Sequence, residues 1–225
     1  KEIAKKILDF FQQYSYYAGA NGVWISGFFG SGKSHLLKIL SYVLENKETD
    51  GYKSGELFAE KIEDDEMLKG DVLTATRIPS ESILFNIDQQ SQINSKSDAN
   101  AILSVFYKVF FDHLGYYGFQ THVAEFEMWL DKQENYDEFK SKFNEKHGKT
   151  WETARLDYFD PLVTDDIAEV LGEINKTDAS KYEDILDEIE DRQKQSIEDF
   201  CERVQDYISQ KPAGFRLNFF VDEVG

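Results

Sequence analysis

Gly27-Phe28-Phe29-Gly30-Ser31-Gly32-Lys33-Ser34 is the stretch on which the fold reading turns. Three glycines are spaced so that the loop can curl, with successive backbone N–H groups pointing inward. The pattern G-x-x-x-x-G-K-[ST] builds a phosphate cradle at the start of a helix. Its context is as informative as its spelling. Val23-Trp-Ile-Ser26 before it reads as a short buried strand, and Asn21-Gly22 as the turn that opens that strand. Lys33 to about Asn46 places Leu36, Leu37, Ile39, Leu40, Val43 and Leu44 at helical spacing. Strand, loop and helix together predict a nucleotide-binding P-loop. Lys33 would reach the terminal phosphates of ATP, and the Ser34 hydroxyl would ligate Mg²⁺.

A second motif lies near the other end. Phe215-Arg-Leu-Asn-Phe-Phe-Val-Asp222-Glu223 reads as a buried strand running into two acids. In a P-loop protein such an Asp organises Mg²⁺ opposite the loop serine, and a following Glu activates the attacking water. A solvated strand-end carboxylate is the plainer reading of Glu223. The expected class is therefore α/β, a P-loop NTPase of the branch with an extra strand between the P-loop strand and the acid-bearing strand, its parallel sheet in the order 5-1-4-3-2. Asp222-Glu223 would end the third strand, and strands four and five would come after Gly225.

Between the motifs, Ile3, Ile7, Leu8, Phe10 and Phe11 predict a helix over about 2–13, and Leu57–Ile62 a short one. Asp71–Ile78 reads as a short strand ended by Pro79, and Ser82–Asp88 as a better one. From about 98 to 210 the patterns are almost wholly helical, with helices near 102–114, 121–133, 136–147, 150–156 and 161–172. A last long helix would start at a Ser180-x-x-Glu183 capping box, or at Asp178, and bury Ile185, Ile189, Ile197, Phe200, Val204 and Tyr207. More than a hundred residues between the second and third strands call for a helical insertion. The expected organisation is NTPase core over 1–90, insertion over 91–212, and the acid-bearing strand over 213–225.

Composition bounds the rest. The 225 residues carry 25 Lys and Arg against 43 Asp and Glu, a net charge of −18, with 41% hydrophobic and 15% aromatic residues. That is enough apolar material for a core, and too acidic a chain to grip duplex DNA through a Lys/Arg face. No apolar run is long enough for a membrane span. The single Cys201 excludes an internal disulfide and fits a reducing, cytoplasmic setting, and the four histidines show no ligand spacing. Tyr14, Tyr16 and Tyr17 are candidates for adenine stacking or, more simply, packing. Asp88 and Gln89 would face nucleotide or partner, or neither; His35 and Cys201 read as helix-surface residues. Asn175-Lys-Thr177 is a glycosylation sequon by spelling only.

Four segments, residues 27–38, 82–91, 105–116 and 219–225, resemble the N-terminal ATPase region of the BrxC/PglY family, large P-loop proteins of bacterial BREX phage defence. The resemblance implies a small N-terminal part of a much longer AAA+-like protein; with strands four and five of the sheet lying after Gly225, this part alone is expected to fold poorly and to be inactive as an ATPase. It further implies that Gly27, Phe28, Phe29, Gly30, Ser31, Gly32, Lys33 and Ser34 hold ATP, that Ser34 and Asp222 serve Mg²⁺ and that Glu223 is catalytic. Homo-oligomers, other BREX proteins as partners, and DNA for the full-length protein but not through this acidic part belong to the same expectation. An ATP-hydrolysing enzyme, a nucleotide-gated assembly scaffold and a STAND-type phage sensor are all compatible with these residues.

Overall fold

A computed structural model describes residues 2–16, 22–90, 99–193 and 195–223. The class is α/β and mostly helical, with a small parallel sheet. The chain divides into two compact units, Lys1–Asn94 with Cys201–Gly225, and Ser95–Phe200. The sequence reading set these boundaries at 90/91 and 212/213; the second division falls inside a helix.

The first unit opens with α1 (Glu2–Tyr16) and α2 (Lys33–Glu45). A small hairpin follows, β1 (Glu48–Thr49) with β2 (Tyr52–Lys53), turned by Asp50-Gly51, both at positive φ. Next come α3 (Ser54–Glu60), α4 (Glu66–Ala75), β3 (Ser80–Asn86) and the single turn α5 (Ile87–Gln90). Phe11, Leu40, Val43, Leu44, Leu68, Val72 and Phe220 form its core. The expected strand over 71–78 is a correction: most of it belongs to α4. Leu68, Val72 and Ala75 recur at four- and three-residue steps on the buried face, and the Asp65 carboxylate caps the helix by accepting from Leu68 N–H at 3.0 Å. Burial of one helical face outweighs the strand preference of Val72, Thr74 and Thr76.

The second unit is helical. It comprises α6 (Ala99–Leu114), α7 (Thr121–Lys132), α8 (Tyr136–His147), α9 (Trp151–Ala154), α10 (Pro161–Asn175) and α11 (Ile185–Arg192). Phe126, Phe139, Phe143 and Trp151 meet edge to face in its centre, alongside Val163, Ile167 and Leu171. Four of the six match the expected spans closely. The single long helix after residue 180 does not form. A 3-10 turn at Ala179–Lys181, held by Asp178 accepting from Ser180 N–H at 2.9 Å, precedes α11, and α12 (Ile197–Ser209) is separate. Ile197, assigned to the buried stripe, is exposed.

The unit boundary lies within α12; the first unit resumes at Cys201 and ends with β4 (Arg216–Asp222). β4 pairs in parallel with β3, in a register that sets Ser80 opposite Arg216 and Asn86 opposite Asp222. The strand is half-buried, with only Phe220 fully covered, rather than buried throughout. Its foot is pinned to α1: the Arg216 guanidinium donates to the Tyr14 carbonyl and lies 4.5 Å from the Tyr14 ring, and Asn218 Nδ2 donates to the Tyr14 hydroxyl. That accounts for Tyr14 as packing. Tyr16 is exposed, and Tyr17 lies outside the described residues.

The strand expected over Val23–Ser26 is also corrected. Residues 22–28 take no regular structure; Val23 and Trp24 are 60% and 75% exposed, and only Ile25 of the run packs on the core. A strand requires a neighbour for its N–H and C=O groups. Among the described residues, β3 and β4 pair only with each other, so this run is left without a strand partner.

Candidate functional site

The loop Gly27–Gly32 runs directly into α2. Gly30 and Gly32 take positive φ of 75° and 85°, values that a side chain would strain. A Cβ at Gly27 would meet Ser31 Oγ at 2.8 Å, so the loop closes where glycine leaves room. Ser31 N–H donates to the Phe28 carbonyl at 3.1 Å and completes the turn. Lys33 folds back over the loop, its ammonium donating to the carbonyls of Gly27 at 2.9 Å and Phe28 at 3.1 Å. The ring of backbone is thus curled around a cation held by two carbonyls. Gly32 starts α2 without a side-chain cap, so the first-turn N–H groups keep no competing side-chain acceptor. Those features fit an anion, and a polyphosphate in particular.

The position of the loop follows from two hydrogen bonds at the far end of α2. Ser82 Oγ donates to the Ser41 carbonyl at 3.1 Å, and Ser80 Oγ donates to the Leu44 carbonyl at 2.8 Å. Moving forward along the helix therefore means moving backward along β3, and α2 runs antiparallel to the strands. From Ser41 back to Lys33 the helix rises about 12 Å. From Ser82 on to Asn86 the strand rises about 13 Å. The head of α2 accordingly lies at the carboxyl ends of β3 and β4, where open α/β sheets bind ligands.

Two acids and one amide occupy those strand ends. Asp222 closes β4, and its Oδ1 accepts from Glu223 N–H at 3.0 Å. Glu223 is exposed and holds a left-handed backbone, φ 59°, uncommon for a non-glycine residue and of the kind found at functional positions. Its Oε2 accepts from Asn86 Nδ2 at 2.7 Å. The other end of that carboxamide is fixed as well: Asn86 Oδ1 accepts from the backbone N–H of Asp88 at 2.9 Å and of Gln89 at 3.2 Å. These two bonds settle which way the amide faces, leaving Nδ2 aimed at the glutamate. Asn86 is a site residue that the sequence reading passed over in favour of its neighbours Asp88 and Gln89. His35 is exposed on α2, as expected for a helix-surface residue.

Among the described residues there is no group of three or more His, Cys, Asp or Glu side chains able to hold a metal unaided. Mg²⁺ bound together with a nucleotide takes one or two protein oxygens, with phosphates and waters completing its shell. Ser34 and Asp222 are donors of that kind. No helix among the described residues is long and apolar enough to cross a membrane. No protein-family model matches the chain, and no solved structure matches it.

Proposed function

We propose that the chain binds Mg-ATP at the Gly27–Ser34 loop and, in the full-length protein, hydrolyses it. One observation carries the reading: the glycine loop curls around the Lys33 ammonium at the head of a helix that lies at the strand ends bearing Asp222 and Glu223. Lys33 would exchange two carbonyls for phosphate oxygens. Ser34 Oγ and, through water, Asp222 would hold the metal, whose bound charge offsets that of the phosphates. Glu223 would take the proton of the attacking water on its carboxylate, and Asn86 would keep that carboxylate oriented.

On this reading β3 and β4 are strands two and three of a 5-1-4-3-2 sheet, which are neighbours and parallel, as these two are. The first strand of that sheet pairs with the fourth and fifth and not with the second or third, which agrees with residues 22–28 joining neither β3 nor β4. The family resemblance extends the proposal to an AAA+-like component of a bacterial BREX defence complex, cytoplasmic, oligomeric and acting with other proteins of that system.

The test is Glu223→Gln in the full-length protein. ATP turnover should fall about 10²- to 10⁴-fold, the usual worth of a general base, with ATP binding kept. Unchanged turnover removes Glu223 from the chemistry.

A further inference from the structure

We propose that Leu156, Phe159 and Leu162, in the helical unit, form a docking surface for a basic amphipathic helix of a partner protein. These side chains are 56%, 71% and 68% exposed, within seven residues of one another. Scattered exposed apolar residues are ordinary; three large ones in so short a stretch are not.

The segment that carries them is held from its other side. Trp151, Ala154, Val163 and Ile167 are buried, and Tyr158 packs on the same core. The turn between α9 and α10 is closed by Asp160 N–H donating to the Asp157 carbonyl at 2.9 Å and Val163 N–H to the Asp160 carbonyl at 2.8 Å. The Asp160 carboxylate accepts from Leu162 N–H at 2.9 Å, and Pro161 fixes the first helical position. A fixed presentation lowers the ordering cost of association.

Charge selects the occupant. Between Thr150 and Asn175 the sequence has seven carboxylates and one cation, Arg155, whose guanidinium is engaged by the buried Glu127 at 2.7 Å; Asp166, Glu169 and Glu173 meet Lys146, His147 and Lys142 of α8, while Glu152, Asp157, Asp160 and Asp165 have no such ion pair among the described residues. Over the whole unit, residues 95–200, 12 Lys and Arg stand against 25 Asp and Glu, 12 − 25 = −13. An apolar centre with an acidic surround suits a helix with leucines along one face and lysines on its flanks. Nucleic acid and anionic lipid surfaces would both be repelled.

The probe is a fluorescein-labelled peptide of about 16 residues with leucines at helical i, i+3, i+7 spacing and lysines elsewhere, titrated into the chain and followed by anisotropy. A control peptide has the same composition with the leucines scattered round the helix. Binding of the amphipathic peptide should weaken at least about tenfold in Phe159→Asp, the scale of one interface anchor, and be unchanged in Met67→Asp, an exposed site of the other unit. The control peptide should bind at least about tenfold more weakly to the native chain. Circular dichroism of Phe159→Asp should match the native chain, since the side chain is exposed. Equal binding by Phe159→Asp, equal binding by the control peptide, or concentration-dependent self-association abolished by Phe159→Asp without peptide binding would each overturn the assignment.

Discussion

Two glutamates, one in each unit, set structure and chemistry apart. Glu127 of α7 is completely buried, and both its oxygens are occupied. Oε1 accepts from Trp151 Nε1 at 2.6 Å and Arg155 Nη1 at 2.7 Å, and Oε2 accepts from Tyr117 N–H at 2.6 Å. Burial, with the added charge of Glu127, pushes the Tyr136 hydroxyl well above the ordinary tyrosine range, so that it stays a proton donor. Glu223 of the sheet unit is exposed, has one side-chain donor and holds a strained backbone. A carboxylate with both oxygens engaged in a dry core has little left to offer a substrate; its removal leaves orphaned donors. A carboxylate held by one amide at a strand end can exchange that partner for water or ligand. On the proposed reading, the saturated site is scaffolding and the unsaturated one supplies the reactivity.

The comparison yields predictions of decreasing size. Glu127→Ala should lower the unfolding free energy of the helical unit by about 3–5 kcal/mol, because it strands the Arg155 charge and the indole donor. Urea denaturation followed by tryptophan fluorescence reads this. Glu223→Ala should leave the same unfolding curve within about 0.5 kcal/mol. Similar losses in both variants would erase the distinction.

Asn86 is next. If it orients Glu223, Asn86→Ala in the full-length protein should lower kcat by about tenfold, the low end of what misplacing a base costs, with KM for ATP little changed. Asn86→Asp sets a second carboxylate against Glu223 and should move the acid limb of the pH–rate profile to higher pH, since adjacent carboxylates resist joint ionisation. A rate loss with no change in the profile would mean that Asn86 serves only to start α5.

The smallest effect concerns pH. His122 is buried, its Nε2 has no hydrogen-bond partner among the described residues, and burial holds its pKa below the usual histidine value. The unfolded chain therefore takes up the proton first as pH falls. The stability that neutral His122 contributes is complete above the ordinary pKa of about 6.5 and declines as pH drops below it. His122→Phe retains a ring against Tyr158, 4.7 Å away, and should flatten this dependence between pH 7.5 and 5.5. An unchanged slope would show that carboxylates govern it.

Much of the helical unit is legible in the sequence, because α6, α7, α8 and α10 each carry an apolar face at helical period. The glycine loop is legible too, since it depends on residues that are neighbours in the chain. What escaped depends on distant partners. Val23–Ser26 looks like a strand because Val, Trp and Ile favour one, but a strand is made by its pairing, and among the described residues this run pairs with none. Asn86 is an unremarkable polar residue until β4 comes alongside and brings Glu223 across 137 positions of sequence. The break between α11 and α12 was hidden because both helices are amphipathic and nearly in phase. The Asp50-Gly51 pair that turns the β1–β2 hairpin is a local signal of the same readable kind as the glycine loop.

The most direct test of the central claim is equilibrium binding of Mg-ATP to the full-length protein and to Lys33→Ala. Loss of the ammonium that now caps the loop carbonyls should weaken binding at least about 100-fold, the worth of a charge-assisted pair of bonds, while circular dichroism stays unchanged. Equal affinity in the two proteins, or no binding by the native one, would contradict the account.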